Sequence, residues 1–145
     1  MRALIQRVSK ASVTVEGRVY RSIKQGYVIL VGVTHDDSYR EAEWLANKIV
    51  GLRLFEDDAG KMNLSIVDMG GSVLIVSQFT LYANANKGRR PSFTGAAHPD
   101  HAEPLVSLLA DAIESKGIHV ETGIFGAMMS VEIINDGPVT LMLER

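Results

Sequence analysis

The chain has 145 residues, 46% of them hydrophobic, no cysteine and a formal net charge of −2. A single domain of that length buries roughly two-thirds of the surface its unfolded chain exposes, so a core needs no staples. Disulfide and thiolate chemistry are excluded, and no apolar run reaches the ~20 residues of a membrane-spanning helix.

Met1 to Lys10 alternate as a strand does and lack the apolar centre of a leader, so a soluble, cytoplasmic protein is expected. Residues 2–8 and 12–16 alternate apolar and polar, and Glu16-Gly17-Arg18 turns into a strand through Val19 to Ile23. Gln25-Gly26 turns again into the continuously apolar Tyr27–Val33. The period then changes: Asp36, Asp37 or Ser38 caps a helix whose apolar positions Ala42, Leu45, Ala46, Ile49 and Val50 recur at three and four, with Gly51 at its end. Leu52 to Phe55 reads as a short strand before the turn Asp57-Asp58-Ala59-Gly60.

Gly70 to Leu81, GGSVLIVSQFTL, is the stretch around which the rest is organised. Val73 to Val76 run without a polar residue, which predicts a central strand covered on both faces. Ser77, Gln78 and Thr80 then cluster at its C-terminal end. Read as a strand, the segment places Gln78 and Thr80 on one face and Ser77, Phe79 and Leu81 on the other.

A loop from Tyr82 to Pro99 follows, carrying Lys87, Arg89 and Arg90. A second helix is expected from near residue 101, with Ala102, Leu105, Val106, Leu109, Ala112 and Ile113 on one face, Pro104 in its first turn and Lys116-Gly117 as its close. Ile118–Thr122 reads as a short strand, and Met128–Ile134 and Val139–Leu143 read as a pair flanking the turn Asn135-Asp136-Gly137-Pro138. The fold class expected is α+β: mostly antiparallel strands forming a partly closed, barrel-like layer with two flanking helices, residues 1–145 making one domain.

Charge is unevenly spread. Residues 1–25 hold Arg2, Arg7, Lys10, Arg18, Arg21 and Lys24 against Glu16 alone, and no acid lies between Tyr82 and Ala97. Should the two basic segments meet, they would form a local site for a polyanion. The histidines His35, His98, His101 and His119 form no HExxH pair and read as solvated, so neither a metal nor a cofactor is expected.

Two segments offer chemistry. Thr80 shares its face with Gln78 and has the hydroxyl of a nucleophile, but no base stands near it in sequence; main-chain N–H groups around Gln78 to Thr80 offer an oxyanion hole instead. A threonine bonded to backbone at a strand end is the plainer alternative. Asn135 to Pro138 reads as a hairpin turn, and its Gly-Pro bond would fix the Gly137 carbonyl in an unusual direction if cis.

SQFTL at Ser77–Leu81 and NDGPVT at Asn135–Thr140, with QRV at Gln6–Val8, GKMN at Gly60–Asn63, RPSF at Arg90–Phe93 and TGIFGAMM at Thr122–Met129, resemble the D-aminoacyl-tRNA deacylase family along the whole chain. The resemblance implies a homodimer that hydrolyses the ester between a D-amino acid and the 3′ end of tRNA, with neither membrane nor DNA as a partner. It implies catalytic roles for Ser77, Gln78, Phe79 and Thr80, and substrate-binding roles for Gly137, Pro138, Arg7 and Phe125. Gly137 and Pro138, joined by a cis bond and inserted into the other subunit's site, would block L side chains with main-chain atoms while Arg7 fixes their orientation. Glycine has no side chain to reject, so glycyl-tRNA mischarged on tRNA-Ala is implied as a second substrate. Phe79, where a branch tolerant of L-alanine has methionine, favours the D-specific form. Two mechanisms stay open: Thr80 as nucleophile, or water assisted by the 2′-hydroxyl of the terminal adenosine. A non-enzymatic RNA-binding β-module and a hydrolase of small D-aminoacyl esters are the rival functions.

Overall fold

In the computed structural model, which describes residues 1–145, the strand β1 (Arg2–Val15) joins most of the architecture together. One of its edges pairs antiparallel with β3 (Gly26–Gly32) along Arg2–Val8 and with β2 (Arg18–Ile23) along Ala11–Val15. Its other edge pairs with the 15-residue C-terminal strand β8 (Ser130–Glu144). The hairpin from β1 to β2 turns on Glu16 and Gly17, both at positive φ, as a tight two-residue connection requires.

The helix α1 (Tyr39–Gly51) follows β3. Ser38 caps it, accepting from the Arg40 N–H, while Glu41 reaches back to the Ser38 N–H at 2.8 Å. Those bonds from Ser38 hold the Glu41 carboxyl below its usual range. A two-stranded hairpin of β4 (Arg53–Glu56) and β5 (Met62–Ser65) comes next, then β6 (Ser72–Ser77), α2 (Pro99–Glu114) and β7 (His119–Thr122). In the main sheet the order is β2-β1-β3-β6-β7, with β8 on β1.

The architecture is α+β, with two helices and a nearly closed, barrel-like sheet. Arg21 on β2 reaches Glu121 on β7 at 2.8 Å, drawing the two ends of the sheet together. Four of the six strand pairings are antiparallel; β3–β6 and β6–β7 are parallel. Each parallel pair is bridged by a helix-containing connection, a pattern the sequence did not display as a repeat. Gly26 marks the tightest approach: it sits at φ +155, and a Cβ there would lie 1.8 Å from the Ser72 carbonyl oxygen.

β6 is the central, doubly covered strand the apolar run predicts. Val73 and Ile75 join a core of 20 buried residues under the two helices, while Leu74 and Val76 join a core of 7 inside the curved sheet. β1 serves both cores by changing phase. Ala3 and Ile5 enter the first, Val8, Ala11 and Val13 the second, and the switch coincides with irregular register around Val8 to Lys10. The two alternating segments of the sequence are therefore one 14-residue strand.

Two expectations are corrected and one strand is added. α2 starts at Pro99 with His98 as cap, two residues before the expected start, so Pro104 lies in the second turn. The bond it cannot make would go to the carbonyl of Asp100, an exposed residue at the helix start where water can serve instead. β5 was missed because Met62 to Ser65 includes no apolar run and no buried residue. Asn135 to Pro138 is no hairpin turn. Both flanks pair with β1, Gln6 opposite Thr140 and Val8 opposite Asn135, so the segment bulges out within one strand. No helix is long and apolar enough to cross a membrane.

Candidate active site

At the C-terminal end of β6 the strand stops at Ser77, and Phe79–Tyr82 wind into a 3-10 turn. The strand reading of the faces fails here, although Gln78 and Thr80 still meet. The Gln78 Nε2 donates to the Thr80 Oγ1 at 2.5 Å. The Gln78 N–H is committed to the Val31 carbonyl at 2.7 Å, extending the pairing with β3. Phe79 and Thr80 precede the first bond of the turn, from the Leu81 N–H to the Gln78 carbonyl, so their N–H groups have no acceptor within the turn.

A cavity of about 850 Å³ opens beside this turn. Ser77, Gln78 and Phe79 form its polar end, and Val31, Val76, Phe125 and Met129 belong to its apolar wall. Residues 93–99 close another side, brought there by short bonds to the end of β3: the Thr34 hydroxyl to the Gly95 carbonyl at 2.7 Å, His35 Nε2 to the Thr94 carbonyl at 2.7 Å, and the Ala97 N–H to the Val33 carbonyl at 2.9 Å. Phe93 meets Phe79 edge-on, ring centres 5.2 Å apart. No Asp, Glu, Lys or Arg lines the cavity. Of its two histidines, His35 is bonded as above and His98 faces Asp100 at 3.3 Å. Tyr82, at the end of the turn, is not a base either: burial chiefly, and the Asp37 carboxylate next, push its hydroxyl up to about 12 against the pull of Arg2.

Arg7, Gly137 and Pro138 form a second constellation, outside the lining of this cavity. Gly137-Pro138 is cis and both residues are exposed at the crest of the β8 bulge. Gly137 stands at φ +116, where a Cβ would come within 2.9 Å of the Val139 side chain, 3.0 Å of the Val139 nitrogen and 3.1 Å of Arg7 Nη2. Only glycine fits without displacing its neighbours.

Arg7 is 6% exposed and braces the bulge from below. Its Nε lies 3.2 Å from the Asp136 carboxylate and 3.3 Å from the Asp136 carbonyl, while Nη1 donates to the Leu54 carbonyl at 2.5 Å. The β4–β5 hairpin thus contributes an anchor, and Phe55 stacks on Tyr27 beneath the guanidinium, centres 5.3 Å apart. Burial raises the Tyr27 hydroxyl well above its ordinary value, Arg7 opposing, and that hydroxyl has no hydrogen-bond partner. Asn135 ties the two sides of the bulge. Its Nδ2 donates to the carbonyls of Arg7 at 2.8 Å and Val139 at 3.1 Å, and its Oδ1 accepts from Thr140 at 3.1 Å and Gln6 at 3.4 Å.

Of the sequence-predicted site residues, Ser77, Gln78, Phe79 and Phe125 come together in the cavity; Thr80 is adjacent through Gln78 but does not line it. Arg7, Gly137 and Pro138 assemble with one another elsewhere. Asn135, Phe93 and Met129 lie inside the motifs NDGPVT, RPSF and TGIFGAMM, but nothing local in those motifs signals the bonds of Asn135 or the place of Phe93 and Met129 in the cavity wall. His35 bore no sequence signal at all.

A family model described as D-Tyr-tRNA(Tyr) deacylase matches residues 4–144. A D-aminoacyl-tRNA deacylase of Thermomicrobium roseum is 59% identical over 144 residues, covering 99% of this chain and 94% of that protein. One from an Exiguobacterium species is 59% identical over 145 residues, covering 100% and 99%. Among solved structures, a chain named c-Myc DNA Unwinding Element Binding Protein matches at TM-score 0.93 with 39% identity, covering 100% of this chain and 99% of that one. Another, described as a probable eukaryotic D-amino acid tRNA deacylase, matches at TM-score 0.84 with 15% identity over 98% of this chain and 97% of that one, a likeness of fold.

Proposed function

The chain belongs to the D-Tyr-tRNA(Tyr) deacylase family and is a D-aminoacyl-tRNA deacylase, and from that premise we propose how its cavity senses handedness and how the ester is cut. The substrate is tRNA esterified at its terminal adenosine with a D-amino acid or with glycine, including glycine mischarged on tRNA-Ala. Water adds across the ester, releasing free amino acid and tRNA. Residues 1–145 act as one deacylase domain in the cytoplasm, where aminoacyl-tRNA is made.

One observation carries the mechanism: Ser77, Gln78 and Phe79 line the polar end of the cavity, the N–H groups of Phe79 and Thr80 have no acceptor within the adjoining turn, and no carboxylate or lysine is in the lining. The N–H groups of Phe79 and Thr80 hold the oxyanion that forms when the ester carbon becomes tetrahedral, a stabilisation realised chiefly in the transition state. Thr80 is not the nucleophile, because its hydroxyl is bonded to the Gln78 amide, which does not take up a proton at neutral pH. The 2′-hydroxyl of the terminal adenosine assists the attacking water instead. Ser77 and Gln78 set the polar end, and Phe125 forms part of the wall against the substrate.

Discrimination is steric and comes from a second copy of the chain. Gly137 and Pro138 are held firmly but stand outside their own cavity, so they can act as a gate only in the cavity of another subunit. Their main-chain atoms would occupy the direction an L side chain needs, leaving room for a D side chain or for glycine's hydrogen. The outer edge of β8 is unpaired, and Met128, Ile134 and Met142 on or beside it are 92%, 49% and 46% exposed. An open edge with apolar flanks favours a homodimer in which that surface is covered.

The test is single-turnover hydrolysis of D-tyrosyl-tRNA and L-tyrosyl-tRNA. The D ester should be cleaved at least about 100-fold faster. Thr80→Ala should keep activity within about tenfold, where loss of an obligatory nucleophile costs about 10⁴-fold or more. A tRNA ending in 2′-deoxyadenosine should be a poor substrate. Equal cleavage of both hands would refute the gate, and a dead Thr80→Ala with an active deoxy substrate would restore the covalent mechanism.

A further inference from the structure

The cavity accounts for the aminoacyl end of the substrate but for none of its phosphates. The sequence put cations on two segments; on the first, Arg18 and Lys24 stand exposed without an acid partner, but neither lies in the lining of the cavity or on a segment that shapes it, and the other four are paired. In the N-terminal strands Arg2 reaches Glu144 at 2.9 Å, Arg7 reaches Asp136 at 3.2 Å, Lys10 reaches Glu132 at 3.1 Å and Arg21 reaches Glu121 at 2.8 Å. Lys87, Arg89 and Arg90 are exposed, in no ion pair and donate no side-chain hydrogen bond. Their loop contains no acid from Tyr82 to Ala97.

The loop has a definite shape. Asn84 and Ser92 pair antiparallel, exchanging bonds of 2.8 and 2.9 Å, and Asn86 N–H donates to Asn84 Oδ1 at 3.0 Å. Gly88 turns the tip at φ +71. One side descends from the 3-10 turn that carries the catalytic N–H groups, and the other runs directly into Phe93 and Thr94 of the cavity wall. Arg90 is three residues from Phe93, at most about 11 Å along the chain.

We infer that the hairpin tip of Lys87, Arg89 and Arg90 is a phosphate clamp that holds the acceptor-end backbone of the RNA next to the cavity. This rests on the deacylase reading and deepens it by assigning the cations that recognise the polyanion. A cluster of three free cations, hung from the same two segments that shape the cavity, places positive charge where the nucleotides before the terminal adenosine must leave it. Attraction to phosphodiesters is independent of base sequence and weakens as salt rises.

The experiment compares kcat/KM for D-tyrosyl-tRNA with kcat/KM for 3′-O-D-tyrosyl-adenosine, which carries the same ester but no phosphate chain, in the full-length protein and in a Lys87→Gln, Arg89→Gln, Arg90→Gln triple variant. The preference for the tRNA ester over the adenosine ester should fall at least tenfold, mainly through KM. The affinity advantage of the unmodified protein should shrink by about 20- to 40-fold between about 50 and about 200 mM salt, as expected for three contacts at 0.7 to 0.9 counterions each. Arg89→Lys with Arg90→Lys should keep most of the preference. An unchanged ratio, or a fall shared equally by both esters, overturns the clamp. An unmodified protein that cleaves neither ester would instead count against the deacylase reading itself.

Discussion

The end of β6 and the bulge in β8 are built in opposite ways. At β6 a strand buried from Val73 to Val76 runs out into a short turn whose polar groups are few, partly exposed and left with N–H groups unspent. At β8 the side chains are bonded closely: Asn135 makes four bonds, Arg7 ties Asp136 of the bulge to Leu54 of the β4–β5 hairpin, and Gly137 sits in a space that admits no Cβ. In the proposed mechanism the first region receives developing charge and the second holds a rigid surface. A catalyst that must distinguish two mirror-image substrates needs both, and here they occupy separate parts of one chain.

The largest way to break the contrast is Gly137→Ala. The added methyl meets Val139 and Arg7 at 2.9 to 3.1 Å and must occupy positive φ. Activity on D-tyrosyl-tRNA should fall at least about 100-fold through displacement of the gate. Because the site is exposed, stability should drop by only about 1–2 kcal/mol, a Tm loss of a few degrees. Calorimetry beside kinetics separates the two effects. A variant with normal activity would show that the crest of the bulge is not near the reacting ester.

Asn135→Ala should act at the level of the brace. It removes two donated bonds, to the carbonyls of Arg7 and Val139. A loss of about 1–3 kcal/mol in urea unfolding is expected, with a partial loss of D over L preference because the bulge loosens. Stability loss with preference unchanged would mean that Arg7 and the β4–β5 hairpin position the crest alone.

The smallest effect sharpens the comparison by its absence. Tyr27 packs against Phe55 near Arg7, yet its hydroxyl is buried without a partner. Tyr27→Phe should therefore change stability by less than about 0.5 kcal/mol, or improve it slightly, and leave activity untouched. A measurable loss would reveal a polar role for that hydroxyl under the bulge.

Much of this was legible in the chain, for physical reasons. A strand covered on both faces has to be apolar without interruption, so Val73 to Val76 declared itself. α1 announced itself through apolar residues at three and four with a capping residue among Asp36, Asp37 and Ser38; that Ser38 is the cap, with Glu41 returning a bond to the Ser38 N–H, shows only in the structure. The bulge was misread since Asp-Gly satisfies a tight hairpin turn and an internal bulge equally well. What decides is the length of β1, which offers one continuous partner to both flanks, and that is a non-local fact. The faces at Gln78 and Thr80 were misassigned for a related reason: strand alternation holds only while the ladder continues, and Ser77 is its last residue. Asn135 and His35 act through bonds to main chain far away in sequence, which no local pattern reports.

The central claim is that the cavity of one subunit is completed by the Gly137-Pro138 crest of another. Mixing is its most direct test. Gly137→Ala spoils the crest, and Phe125→Asp spoils the cavity wall; each alone should be nearly inactive on D-tyrosyl-tRNA. Unfolded together in equal amounts and refolded, they should recover about a quarter of normal activity, since half the dimers are mixed and each mixed dimer has one intact site of two. Recovery no greater than the sum of the separate variants would contradict the account.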